Sequence, residues 1–123
     1  MKTLSKMNWS ELKHEYDLDG KRLLPWEGLE SPFGGAWCVV RAGTSSMPHA
    51  HDEREIFICI AGEADIVMGD ERIPVRQGDV VAIPLLTRHY VDNRSDGDFH
   101  MYSIWWDREA AQNYLDRTEG GAA

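Results

Sequence analysis

The chain has 123 residues, 42% of them hydrophobic and 28% charged, a mix that suits one packed domain and excludes a disordered or fibrous polymer. Thirteen basic residues against twenty-one acidic ones leave a formal charge of −8, so the positive field that nucleic acid or an anionic membrane requires is missing and neither is expected as a partner. The longest apolar runs, 56–61 and 80–86, fall far short of the ~20 residues of a membrane helix.

Taken in chain order, the opening MKTLSKMNWSEL has no apolar stretch of the kind a secretory signal carries. A weak helical pattern covers Trp9–Tyr16. Residues 17–35 hold Pro25, Pro32 and four glycines and read as an irregular arm laid over the rest. From residue 36 onward, short β-branched and aromatic runs alternate with turn residues. The expected strands are Ala36–Arg41, Glu55–Ala61, Glu63–Met68, Arg72–Arg76, Val80–Ile83, His89–Asp92 and Phe99–Trp106. Gly69-Asp70-Glu71 suits a hairpin turn. Regular short strands without intervening helices argue for an all-β antiparallel sandwich or barrel. Asp107 is a suitable N-cap for a closing helix over Asp107–Arg117, with Glu119-Gly120-Gly121 ending it. The expected organisation is a single domain over 1–123: an arm (1–35), a barrel (36–106), and a helix with its tail (107–123). Cys38 and Cys59 each sit in an apolar stretch and read as buried, reduced thiols of a cytoplasmic protein.

The chemistry concentrates in PHAHDEREIF. On an extended strand alternate side chains share a face, so His49 and His51 present two imidazoles together. Glu55 has the same parity if the intervening residues stay extended. His89 opens a second strand after the PLLTR loop and supplies a third imidazole from elsewhere in the fold. A His-x-His pair alone also suits two surface or core histidines. Three imidazoles and one carboxylate on an inward face suit one divalent first-row transition metal, and they do not choose among Zn, Fe, Mn, Ni and Co.

The spacing around these residues is more specific. Gly43, five residues, His49-Ala50-His51, three residues, Glu55, six residues, Gly62 resembles the first motif of the cupin superfamily. Gly78, five residues, Pro84, then His89, three residues, Asn93 resembles its second. Leu86 stands where that family usually has glycine, so the loop before His89 is expected to differ in shape. The resemblance spans about residues 36–106, with a fifteen-residue spacer, 63–77, like that of minimal bacterial cupins. It implies a double-stranded β-helix, or jelly-roll, barrel with the metal in its mouth, held by His49, His51, Glu55 and His89. A finer likeness lies in WCVVRAGTSSMPHAHDEREIFICIAG and the terminal IWWD, which look similar to the zinc-binding cupins of hydrazine synthetases. That likeness places zinc first among the metals. It implies N–N bond formation in specialised metabolism, with a separate synthetase-like protein as partner.

Strand parity places Phe57 and Cys59 inward with Glu55, Met47 with His49, and Val91 with His89. Met47, Phe57, Cys59 and Val91 are therefore the expected substrate-pocket residues. On the last strand either His100, Tyr102, Ile104 and Trp106 face in, or Met101, Ser103 and Trp105 do. Tyr102 is a candidate catalytic acid or base under the first alternative. His100 is expected outside the ligand set, and His14 in solvent. Arg41, Arg54, Arg88 and Arg94 lie near the mouth and read as solvated or ion-paired, with a substrate clamp as the other possibility. The functional expectation is a metal-dependent enzyme acting on a small-molecule substrate. A non-catalytic metal- or ligand-binding protein and an Fe(II) dioxygenase are the alternatives. Five tryptophans and three phenylalanines point to a homodimer, with Trp105 or Trp106 and the N-terminal arm as candidate contacts.

Overall fold

A computed structural model describes residues 2–119. Nine strands form two antiparallel sheets among these residues. The larger sheet takes β1 (Lys13–Glu15), β2 (Leu18–Leu24), β3 (Gly34–Val40), β4 (Arg54–Ala61), β7 (Val80–Ile83) and β9 (Phe99–Trp106), in the order β1-β2-β3-β9-β4-β7. The smaller takes β5 (Glu63–Met68), β6 (Glu71–Arg76) and β8 (His89–Asp92), in the order β6-β5-β8. A helix, α1 (Arg108–Glu119), closes the described chain.

Alternation explains most of this. In β4 the even positions Ile56, Ile58 and Ile60 stay half-exposed on the outside, while Phe57 and Cys59 are buried within. The inner faces of β5, β6 and β7 contribute Ala64, Ile66, Val75, Val81 and Ile83 to the same core. On β9 the odd set faces in: Phe99, Met101 and Ser103 are buried, and Trp105 packs against the core. That decides between the two alternatives and turns Tyr102 outward. Gly69 and Asp70 alone connect β5 to β6, because Glu71 already pairs with Met68. Asp107 caps α1 through its Oδ1, which accepts from the Ala110 N–H at 2.7 Å. The expected end of this helix at Gly120-Gly121 lies outside the described residues.

The first 35 residues differ from expectation. Instead of a helix over Trp9–Tyr16 there is a single 3-10 turn, Trp9–Glu11, with the Asn8 side chain accepting from Ser10 N. The chain then enters β1, and the supposed irregular arm contains β2, paired with β3 from Asp19↔Val39 to Leu24↔Gly35. The sequence LDGKRLL hides this strand because the face it turns to a cavity carries Leu18, Gly20 and Arg22, a mix that removes the hydrophobic alternation that reveals a strand. The hairpin tip is Tyr16-Asp17, with φ of 54° and 57°. Left-handed conformations at both turn positions suit the twist of a two-residue hairpin, although neither residue is glycine.

Candidate metal centre

The site forms where the two sheets meet. His49 and His89 exchange both backbone hydrogen bonds (His49 N to His89 O, 3.1 Å; His89 N to His49 O, 2.9 Å), which fixes two imidazoles side by side. The chain from His49 to Glu55 is not one strand. It bends at Asp52-Glu53 before β4 begins at Arg54, yet His51 and Glu55 still reach the same point. One donor atom from each of His49, His51, Glu55 and His89 lies within 4.8 Å of the others.

The far nitrogen of every ring is engaged. His49 Nδ1 meets Met47 O at 3.1 Å, His51 Nδ1 meets Glu53 O at 3.0 Å, and His89 Nδ1 meets Thr87 O at 2.8 Å. A carbonyl only accepts, so each Nδ1 carries a proton, and the Nε2 atoms are the ones left to face the centre. Glu55 divides its two oxygens. Oε2 accepts from Ser103 Oγ, and Oε1 lies 3.0 Å from His51 Nε2. His89 Nε2 approaches the same Oε1 at 3.3 Å but outside hydrogen-bond geometry. It is thus a buried nitrogen with no hydrogen-bond partner, on a side chain 1% exposed. An orphaned buried donor nitrogen beside a buried carboxylate is costly unless a further group completes it. A divalent cation fits that requirement.

Electrostatics agree. Burial pushes the Glu55 carboxyl up, but its contacts with His89, Ser103 and His51 outweigh burial and hold it below its ordinary value. For His89 burial lowers the pKa, while Glu55 and the Thr87 carbonyl outweigh it and leave the ring above its ordinary value. The cluster therefore holds a carboxylate charge that attracts a proton or a cation to the imidazoles.

These groups open onto a cavity of about 640 Å³. Met47, Phe57 and Val91 line it as expected, and so do Ser46, Met101, Ser103 and Trp105. Cys59 does not. It belongs to the core behind Phe57, where burial pushes its thiol up to about 11. Cys38 is the thiol on the cavity wall, pushed up to about 12 by burial and then by the Glu55 charge, so it stays protonated. Neither cysteine is in a disulfide.

A family model for the cupin domain matches residues 36–105. The chain is a cupin. Two solved structures resemble it over nearly their whole lengths. One is the plu4264 protein of Photorhabdus luminescens, at 55% identity, covering 97% of this chain and 99% of that one with a TM-score of 0.86. The other is a cupin 2 conserved barrel domain protein of Salinispora arenicola, at 38% identity, covering 95% and 98% with a TM-score of 0.83. A predicted oxalate decarboxylase of Thermotoga maritima shares the fold at 22% identity, covering 72% and 79% with a TM-score of 0.66.

In this cupin the motif positions have visible structural tasks. Asn93, fully buried, donates through Nδ2 to the Val40 and Gly97 carbonyls and ties the loop before β9 to β3. Gly62 has φ +82°, and a Cβ there would run into the Asp98 carbonyl oxygen. Leu86, at the position where glycine was expected, adopts φ +58°. The loop thus takes a glycine-like conformation despite its side chain, held by Leu86 N donating to His51 O at 3.0 Å.

Several sequence candidates lie elsewhere. Tyr102 stands on the outer face of β9 with its ring 6.2 Å from that of Trp37, so it is no acid or base for this cavity. His100 shares that face and accepts from Trp37 Nε1 at 2.9 Å. His14 is exposed and pairs with Asp19. Arg41 pairs with Asp19 and Asp98, and Arg94 with Asp92. Arg54 and Arg88 do not line the cavity. Trp105, expected at a subunit contact, points into the cavity instead.

Two residues of the first hairpin were missed. Tyr16 lies over His49 with ring centroids 5.5 Å apart, and its carbonyl accepts from Met47 N at 2.7 Å. Arg22 lines the cavity from β2. Neither carries a sequence signal, because both depend on β2 pairing with β3 far along the chain.

Proposed function

We propose that this cupin is a metal-dependent enzyme acting on a small molecule held in the cavity above His49, His51, Glu55 and His89. The carrying observation is the convergence of three imidazoles, each held at Nδ1 by a backbone carbonyl, with a buried carboxylate at the floor of an open cavity. A divalent metal bound there would supply Lewis-acid polarisation of a substrate oxygen, or redox chemistry if the ion is iron or manganese. The chain's own groups do the rest. Ser103 holds Glu55 in place through Oε2 and leaves Oε1 for the centre. Phe57, Met101 and Val91 keep the floor apolar, which strengthens every charge interaction above it.

Tyr16 and Tyr90 are the phenols that line the cavity, and the Tyr16 ring lies 5.5 Å from that of His49. Tyr16 can donate a proton at its Oη to substrate near His49. Zinc is the first metal to test. N–N bond formation with a separate synthetase-like partner would be one case of this chemistry.

The experiment is metal quantification on protein purified without chelator or nickel resin, beside a His49→Ala/His51→Ala variant. Metabolite-extract turnover is then followed by mass spectrometry for metal-loaded and stripped protein. One metal per chain in the wild type, its loss in the variant, and turnover only when loaded are expected. Unchanged metal content in the variant would overturn the ligand assignment. A loaded protein that converts nothing would favour the binding-protein reading.

A further inference from the structure

On the same sheet as Glu55, three strands away, the cavity wall carries an exposed cation, Arg22, that has no ion-pair partner among the described residues. Strand register aligns Arg22, Ala36, Ser103 and Phe57 in one row across β2, β3, β9 and β4. Ala36, Ser103 and Phe57 all face the cavity, and Arg22 lines it with them. Its guanidinium lies over Trp105, 5.6 Å from the ring centroid. A cation–π contact uses the charge of a guanidinium and not its N–H donors, whose fork matches the two oxygens of a carboxylate.

The other charged groups of the wall are accounted for. Lys13 pairs with Glu15 at 3.3 Å and Lys21 with Glu11 at 3.5 Å. Glu55 belongs to the histidine cluster. Glu53 is exposed at the rim, and its carbonyl takes His51 Nδ1. Among the described residues no carboxylate lies within ion-pair distance of Arg22. A metal dication beside one carboxylate would leave a net positive pole at the floor, and Arg22 supplies a second on β2, farther along the same sheet. Two strand spacings separate the Arg22 and Ser103 backbones, about 10 Å. The cavity, about 640 Å³, has room for a short acid rather than a polymer.

We propose that Arg22 binds a carboxylate of the substrate, a short acid whose other end reaches the metal centre. This rests on the metal-centre reading above. It assigns a specificity role to a residue outside the matched cupin-domain segment, 36–105. Arg22 selects for the anionic group, Trp105 holds the guanidinium in place, and the cavity length limits the chain of the acid.

The test uses the full chain loaded with zinc, and the same protein stripped by chelator, as wild type, Arg22→Gln and Arg22→Lys. Glycolate, malonate and succinate are titrated by calorimetry, with malonamide as the uncharged counterpart of malonate. At least one acid should bind the loaded wild type, and malonamide should bind at least ten-fold more weakly than malonate. Arg22→Gln should weaken the acid at least ten-fold with zinc content and melting temperature unchanged, and Arg22→Lys should restore part of the loss, because a lysine keeps the charge without the fork. Equal affinity in Arg22→Gln, equal binding of malonate and malonamide, or no binding of any of the three acids would overturn the proposal. The metal reading fails separately, if the wild type takes up no zinc. Arg22 dependence is then read on the stripped protein, where its absence overturns the clamp and its presence supports it.

Discussion

Replacing Ser103 by alanine should weaken metal binding without touching a ligand. Ser103 is buried, and its hydroxyl donates to Glu55 Oε2, the oxygen turned away from the histidines. A hydrogen bond to a charged group contributes ~1.5–3 kcal/mol, and loss of a partner that orients a ligand typically costs ~10–100-fold in metal affinity. The two figures agree, since each ten-fold is about 1.4 kcal/mol. Chelator-competition titration should therefore show the dissociation constant of Ser103→Ala raised by roughly ten-fold or more.

The same variant carries a pH signature in the metal-free protein. The Glu55 carboxyl sits below its ordinary value in the fold. Its charged state therefore stabilises the fold above the unfolded carboxyl pKa, about 4.3, and that contribution is lost as pH falls through the lower folded value. Without Ser103 part of this contribution disappears, so denaturant melts at pH 7 should show a loss of about 1–2 kcal/mol. Near pH 3 the loss should shrink as Glu55 takes up its proton. A Ser103→Ala protein with metal affinity within about two-fold of wild type would refute the orienting role. A stability loss of the same size at both pH values would assign the effect to packing instead.

Metal occupancy should fall on equilibrium dialysis as pH drops and protons compete for the imidazoles, and full retention at pH 5 would refute the ligand set. Gly62→Ala combines a positive φ with a Cβ against the Asp98 carbonyl, so chemical denaturation should show a loss of about 2 kcal/mol or more. Leu86→Asn should instead stabilise by roughly 0.5–1 kcal/mol, because asparagine tolerates the left-handed region better and Leu86, 69% exposed, gives up little burial. A homodimer is proposed through the outer sheet face, where Trp37, Tyr102, Ile58 and the exposed Val80 share one cross-strand row; sedimentation at micromolar concentration showing only a 14.0 kDa species would refute it.

The part of the molecule legible in the sequence is the part whose spacing is local. His49, His51 and Glu55 lie within seven residues, so their convergence follows from extended chain and survives even the bend at Asp52-Glu53. The continuous apolar run of β4 and the alternation of β5 name their core residues in the same way. His89 is different in kind. Its place opposite His49 depends on a backbone pairing between segments forty residues apart, and the second motif's spacing, rather than any periodicity, placed it there. Cys59 has the right parity for the cavity but lies too far along β4 to reach it, since parity fixes a face and not a depth.

The same distinction explains why the first 35 residues were misread and why they matter. A strand that covers a core on one face alternates visibly, but β2 turns Leu18, Gly20 and Arg22 toward the cavity, and that face looks no more apolar than the other. Its register with β3 is non-local, and it alone carries Arg22 to the row of Ser103. The metal ligands come from the segment that makes the chain a cupin, 36–105. Two further groups of the cavity wall, Tyr16 beside His49 and Arg22 on β2, come from segments outside it. With Arg22 as the proposed carboxylate clamp, substrate choice would rest on β1 and β2, outside the segment that holds the His49, His51, Glu55 and His89 cluster.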